Sequence, residues 1–231
     1  MLLKILTGAA LSVAITAGSA EARPDMARTA DMADSLCAVL QPGDLVFKGA
    51  RTAIWTEIAA GWSDQADRRW GHVGLVYGVR KRSGDSPVSD RKSGGCTAEI
   101  VHADTGTGNP ATDAGPGEEI GEVRAVRLVE FLGDVDHAGI FRLTLSPDQR
   151  ARMIAWAGQA ADRHTPFDRG YNLASENNLY CTELIWRAMS AGLGRDAIPE
   201  KSTRLGRTYV ALSDLSLHPL AQEVMDVDWA E

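Results

Sequence analysis

The chain has 231 residues, 44% of them hydrophobic and 24% charged, which is the composition of an ordinary globular protein with room for one large domain or two small ones. Its net charge of −7 leaves no basic surplus to neutralise phosphates, so nucleic acid is not an expected partner.

The first element is "MLLKILTGAALSVAITAGSAEARP". Lys4 precedes an apolar run from Ile5 to Ala17, and small residues follow with Ala20-Glu21-Ala22 in an A-x-A arrangement. This pattern predicts a secretory signal peptide over residues 1–22 and a mature chain over 23–231, secreted or periplasmic. The run is too short for a stop-transfer anchor, and no other run is long enough to span a bilayer. No cysteine adjoins the expected cut, so lipidation there is not expected.

Residues 23 to about 40 read as a polar, partly helical lead-in. "QPGDLVFKG" gives a turn and then a short strand. "RTAIWTEIAAGW" places Ile54, Trp55, Ile58 and Ala59 on one helical face. A charged loop leads into a strand that opens at His72, "HVGLVYGV", and "CTAEIVHA" is its expected partner. Residues 80–95 between them, rich in turn formers, read as an exposed hairpin tip. After a Gly/Pro/Asp-rich loop, "EVRAVRLVEFL" and "GIFRLTL" read as two more strands. "SPDQRARMIAWAGQAADR" is the clearest helix: Ser146 caps it, Pro147 suits its first position and Gln149 completes a capping box. The loop "HTPFDRGYNLASENNLY" then leads to a helix starting at Cys181, with Leu184, Ile185, Ala188 and Met189 at helical spacing and Gly192 as its stop. No repeat and no Pro- or Gly-rich linker divides the chain, so a single α+β domain is the simplest count.

Three cysteines and five histidines carry the chemistry under consideration. An exported chain with an odd count leaves one thiol over; if Cys37 and Cys96 pair, that thiol is Cys181. A thiol at a helix N-terminus meets the positive end of the dipole and free N–H groups, which favour the nucleophilic thiolate. The bland alternative is a small buried hydrophobe. A thiol nucleophile needs a base, and the base an orienting group. If the strands of His72 and His102 pair antiparallel, the start of one lies beside the end of the other and the two imidazoles become neighbours. His137, His164 and His218 lie in loops or beside Pro and read as structural. Tyr171 and Tyr180 suit packing better than a donor role.

"PGDLVF", "HVGLVYG" and "IVHADTGTG", in that order, resemble the NlpC-type cysteine peptidases of cell-wall metabolism. That family carries its cysteine helix before the first of these motifs; here "YCTELI" comes near the C-terminus instead. This order is similar to the circularly permuted branch, the YiiX/YaeF-like papain-fold amidases, over roughly residues 41–190. The resemblance implies a circularly permuted papain-like α+β fold with an antiparallel sheet packed on helices. It also implies an exported cysteine hydrolase that cleaves an amide through a thioester acyl-enzyme, with no cofactor or metal, on peptidoglycan peptides or N-acyl amides. By motif, Cys181 matches the nucleophile, His72 the base and His102 the orienting residue. Permuted relatives often carry an acidic residue in the third place. Glu99 lies three residues before His102 and on the opposite face of the strand, so one of the two serves, not both. The 80–95 hairpin is longer than the family turn. Three other readings stay open: an acyltransferase or lipid-directed thiol enzyme, a non-catalytic cell-wall binding domain, and zinc on Cys181, His72 and His102.

Overall fold

A computed structural model describes residues 26–49, 67–81, 96–106, 120–133, 135–175 and 177–229. The expected signal peptide, the helix read over "RTAIWTEIAAGW" and most of the 80–95 hairpin lie outside the described residues. The elements are α1 (Met26–Val39), β1 (Leu45–Gly49), β2 (His72–Lys81), β3 (Cys96–Ala103), β4 (Val123–Arg127), α2 (Leu128–Leu132), β5 (His137–Leu143), α3 (Pro147–Asp162), α4 (Cys181–Leu193), β6 (Ser202–Arg204), β7 (Arg207–Tyr209), α5 (Leu212–Ser216) and β8 (Ala221–Asp228). Among the described residues, six strands form one antiparallel sheet in the order β4-β3-β2-β1-β5-β8, and β6 and β7 form a second, two-stranded one. Among the described residues no helix is long and apolar enough to cross a membrane.

Alternation along the strands builds two cores on the two faces of this sheet. Leu45, Phe47, Val73, Leu75, Val101, Ala103 and Phe141 face α3 and α4, and bury Met153, Ala157, Leu184, Ile185 and Met189. Val46, Val76, Ile100, Ala138 and Ile140 face the other way, against Leu36 from α1, Leu40 just after it and Phe131 from α2. The α+β architecture is thus helices on both sides of an antiparallel sheet.

Several local readings hold. The α3 cap is as expected: the Ser146 hydroxyl accepts from the Gln149 N–H at 3.2 Å and the Gln149 side chain accepts from the Ser146 N–H at 2.9 Å. β2 and β3 pair antiparallel across the hairpin, with Leu75 opposite Val101.

Others are corrected. "LVEFL" is not strand: Leu128, Phe131 and Leu132 bury at helical spacing and the Glu130 carboxylate accepts from the Arg127 N–H at 3.1 Å, so the chain turns from β4 directly into α2. The lead-in is a core helix, since Met32, Leu36, Cys37 and Leu40 are buried. Gly192 does not stop α4. A Cβ there would lie 2.8 Å from the Gln149 carbonyl oxygen, so Gly192 permits close approach of α3 and α4. The stop is Gly194, in the left-handed region at φ 70°. Beyond it, residues 202–228 add strands and a short helix that the motif pattern does not announce.

Candidate active site

The site forms at one end of the sheet. His72 opens β2 and His102 comes next to last in β3, and antiparallel pairing brings their rings together: His72 Nε2 lies 3.0 Å from His102 Nδ1. One nitrogen must donate and the other accept. By strand parity both rings project to the α1/α2 face. There the Phe131 ring packs on both, with centroids 5.6 Å from His72 and 5.3 Å from His102. Glu99 is exposed and pairs with Arg80 at 3.8 Å, so of the two candidates for the third residue His102 is the one bonded to His72.

The thiol arrives from the opposite layer. The N-terminus of α4 is pinned by Val210, whose N–H donates to the Tyr180 hydroxyl at 2.9 Å and whose carbonyl accepts from the Thr182 hydroxyl at 2.6 Å. These two bonds flank Cys181 and fix its direction toward the sheet. Tyr180 sits at the N-cap of α4, and its side chain makes no capping bond to the helix N–H groups. The sulfur is left to meet the N–H groups of Thr182, Cys181 and Val73, the last being the residue after His72. Cys181 is the free cysteine and is partly exposed; Cys37 and Cys96 form a disulfide with Cα atoms 5.9 Å apart.

The electrostatics differ from the sequence expectation. Burial pushes the Cys181 thiol up to about 11, and the three N–H groups and Lys48 offset only part of that. Burial lowers His102 to about 4, helped by the Lys48 charge, with Asp104 opposing. Burial, His102 and Lys48 hold His72 well below its ordinary value. These shifts favour a protonated thiol and neutral imidazoles over a thiolate–imidazolium pair. The helix dipole is present as expected; desolvation outweighs it.

Two further groups escaped the sequence reading. Lys48 stands opposite His72 in the β1–β2 register; its ammonium donates to the Phe131 carbonyl and lies 4.8 Å from the Phe131 ring centroid. A lysine closing the apolar run "LVFK" was the available signal. Phe131 was hidden in a segment read as strand. Tyr171 takes a left-handed backbone at φ 48°, and its ring stands 5.2 Å from Tyr180. The remaining histidines have structural partners: His137 stacks on Trp70 at 4.6 Å, His164 meets Glu122 at 2.9 Å and His218 meets the Ala197 carbonyl at 3.0 Å.

The model of the family described as "Permuted papain-like amidase enzyme, YaeF/YiiX, C92 family" matches residues 39–210. No curated protein matches the chain. Among solved structures, the chain resembles that of the metalloprotein YiiX from Escherichia coli O157:H7 (DUF1105), with 16% identity and a TM-score of 0.53 over 82% of this chain and 98% of that one. At that identity the likeness speaks for the fold alone. The family match spans most of the chain, including β1, His72, His102 and Cys181, and the chain belongs to the permuted papain-like amidases of the YaeF/YiiX, C92 family, a family of cysteine hydrolases.

Proposed function

We propose that the chain is an exported amidase that cleaves an amide bond in cell-wall peptides, with Cys181 as nucleophile, His72 as general base and acid, and His102 as the residue that orients His72. The observation that carries this reading is the bonded His72–His102 pair at the end of β2 and β3, with the Cys181 sulfur against the amide of Val73.

The chemistry follows from the protonation states. His72 Nε2 is engaged by His102, so Nδ1 is the ring nitrogen left to accept a proton. Because the thiol rests protonated, proton transfer to His72 accompanies sulfur attack on the substrate carbonyl carbon. The carbonyl π electrons move to oxygen, and the amide N–H of Cys181 donates to the resulting oxyanion. Collapse of the tetrahedral intermediate expels the amine, which takes the proton from His72 and leaves a thioester. Water then loses a proton to His72 as it attacks the thioester. The acid leaves, and the sulfur regains its proton.

The export half of the proposal rests on the N-terminal pattern and on the Cys37–Cys96 disulfide, since such bonds persist in oxidising compartments. N-terminal sequencing of periplasmic material should begin between Glu21 and Asp25; intact Met1 there would refute it. The structural neighbour is a metalloprotein. Among the described residues of this chain no three His, Cys, Asp or Glu side chains converge as a ligand set, and the facing nitrogens of His72 and His102 bond each other. The described donor set does not fit a metal.

The test of the reading is product formation from peptidoglycan fragments and N-acyl amino acids by wild type, Cys181→Ala, His72→Ala and His102→Ala. Turnover is expected to vanish in the first two variants and to fall less in the third. Turnover that survives in Cys181→Ala would refute the thiol mechanism.

A further inference from the structure

The loop after α3 leaves and rejoins the body through a closed neck. The Asp168 N–H donates to the Leu179 carbonyl at 3.1 Å, and the Leu179 N–H donates to the Pro166 carbonyl at 2.9 Å. Between those ends the chain has to be held by something other than the sheet. Asp168 is buried, and its carboxylate accepts from the N–H groups on either side of Tyr171: Gly170 at 2.8 Å and Asn172 at 2.8 Å. This forces Tyr171 into its left-handed conformation, which an aromatic residue adopts only under constraint. The same turn brings the Tyr171 ring against Tyr180, the residue before Cys181.

The second half of the loop is tied to the thiol helix by one side chain. Arg187, on α4, donates to the carbonyls of Leu173 at 3.2 Å and Ser175 at 3.1 Å. The same Nη2, together with Nε, meets the carboxylate of Glu183, one turn earlier, at 2.7 Å and 2.9 Å. Glu183 is fully buried, and among the described residues one of its carboxylate oxygens has no hydrogen-bond partner. A packed apolar pair at these positions would hold the helix at no such desolvation penalty. The ion pair does what an apolar pair cannot: it aims a planar guanidinium at two loop carbonyls.

We propose that Arg187, aimed by Glu183, is a positioning residue of the thiol site: it fixes the 168–175 loop so that Tyr171 stands as a wall beside Cys181 and limits the size of the group that reaches the sulfur. This rests on Cys181 being the reactive group of the proposed function. It goes beyond that reading by assigning a size filter, and its test does not depend on amide turnover.

The experiment compares alkylation of Cys181 by iodoacetamide and by the bulkier N-phenyl iodoacetamide, followed by intact mass, in folded full-length protein. Removing Arg187 alone strands a buried carboxylate and endangers folding. The working variant is therefore the double substitution Glu183→Leu with Arg187→Met. The bulky-to-small rate ratio is expected to rise at least tenfold, with the iodoacetamide rate within about threefold of wild type. Tyr171→Ala should reproduce the rise, and Arg187→Lys, which keeps a charge for Glu183 but loses the planar fork that reaches both loop carbonyls, should raise the ratio as well. A ratio unchanged within twofold in the double variant overturns the inference, as does a Tyr171→Ala variant with wild-type ratio. A rise in both rates together, with a lowered unfolding midpoint, would make the pair merely structural and also overturn it. An absence of amide turnover in wild type counts against the proposed function while leaving this measurement intact.

Discussion

Cys181 is expected to react as a thiol whose proton must be removed, and its pH profile can show this. Its ordinary value of 9.0 is pushed up to about 11 by burial. At pH 7 the thiolate fraction is then about 10⁻⁴, against about 10⁻² for an unperturbed cysteine, a loss of about 100-fold. A more basic thiolate is also a better nucleophile; with a Brønsted slope of about 0.4–0.5 the two-unit rise returns a factor of about 10. The net expectation is alkylation about tenfold slower than an exposed cysteine at pH 7, rising with pH to beyond 10. The assay is iodoacetamide labelling across pH 6–11 with the Cys37–Cys96 disulfide intact, so that Cys181 is the labelled site. Lys48→Met should shift the profile further up, because the ammonium favours the thiolate. A rate that plateaus below pH 7 would show a resting thiolate–imidazolium pair and refute the argument that desolvation outweighs the helix dipole.

Breaking the Cys37–Cys96 link, which joins α1 to β3 across a separation of 59 residues, removes a chain-entropy constraint of about 4 kcal/mol, read as the loss in urea unfolding of the Cys37→Ala, Cys96→Ala double variant; a loss under about 1 kcal/mol would contradict it. Gly74→Ala should destabilise the fold by about 1–3 kcal/mol, since its Cβ would lie 2.4 Å from Ile100 Cγ2 and 2.9 Å from Phe131 Cε2, and should slow acylation by displacing the ring on which both imidazoles rest; unchanged unfolding and turnover would refute this. Glu183 is raised from 4.5 to about 7 by burial, so the folded state binds its proton more tightly than the unfolded state. Its contribution is fully present below about pH 4.5 and is lost as pH rises through about 7, with a ceiling of about 3 kcal/mol. Glu183→Gln should flatten that part of the stability–pH curve, and an unchanged slope would show that other groups cause it.

The chain order of the motifs, the α3 cap and the α4 helix were legible in the amino acids because each depends on neighbours within a few positions. Ser146 finds Gln149 three residues away, and Leu184, Ile185, Ala188 and Met189 share a face whatever they pack on. The meeting of His72 with His102 was also within reach, since antiparallel pairing of adjacent strands fixes which ends coincide. Only the tertiary structure decided the rest. Whether Cys181 rests as thiol or thiolate depends on how much water the two layers exclude from it, and the local dipole alone points the other way. Lys48 and Phe131 enter the site from segments 83 residues apart, through a register and a buried ring that no local pattern encodes. Gly192 reads as a stop until a second helix occupies the space its missing side chain leaves. Local patterns are set by bonds along the chain; protonation states and close approach are set by what the fold places around them.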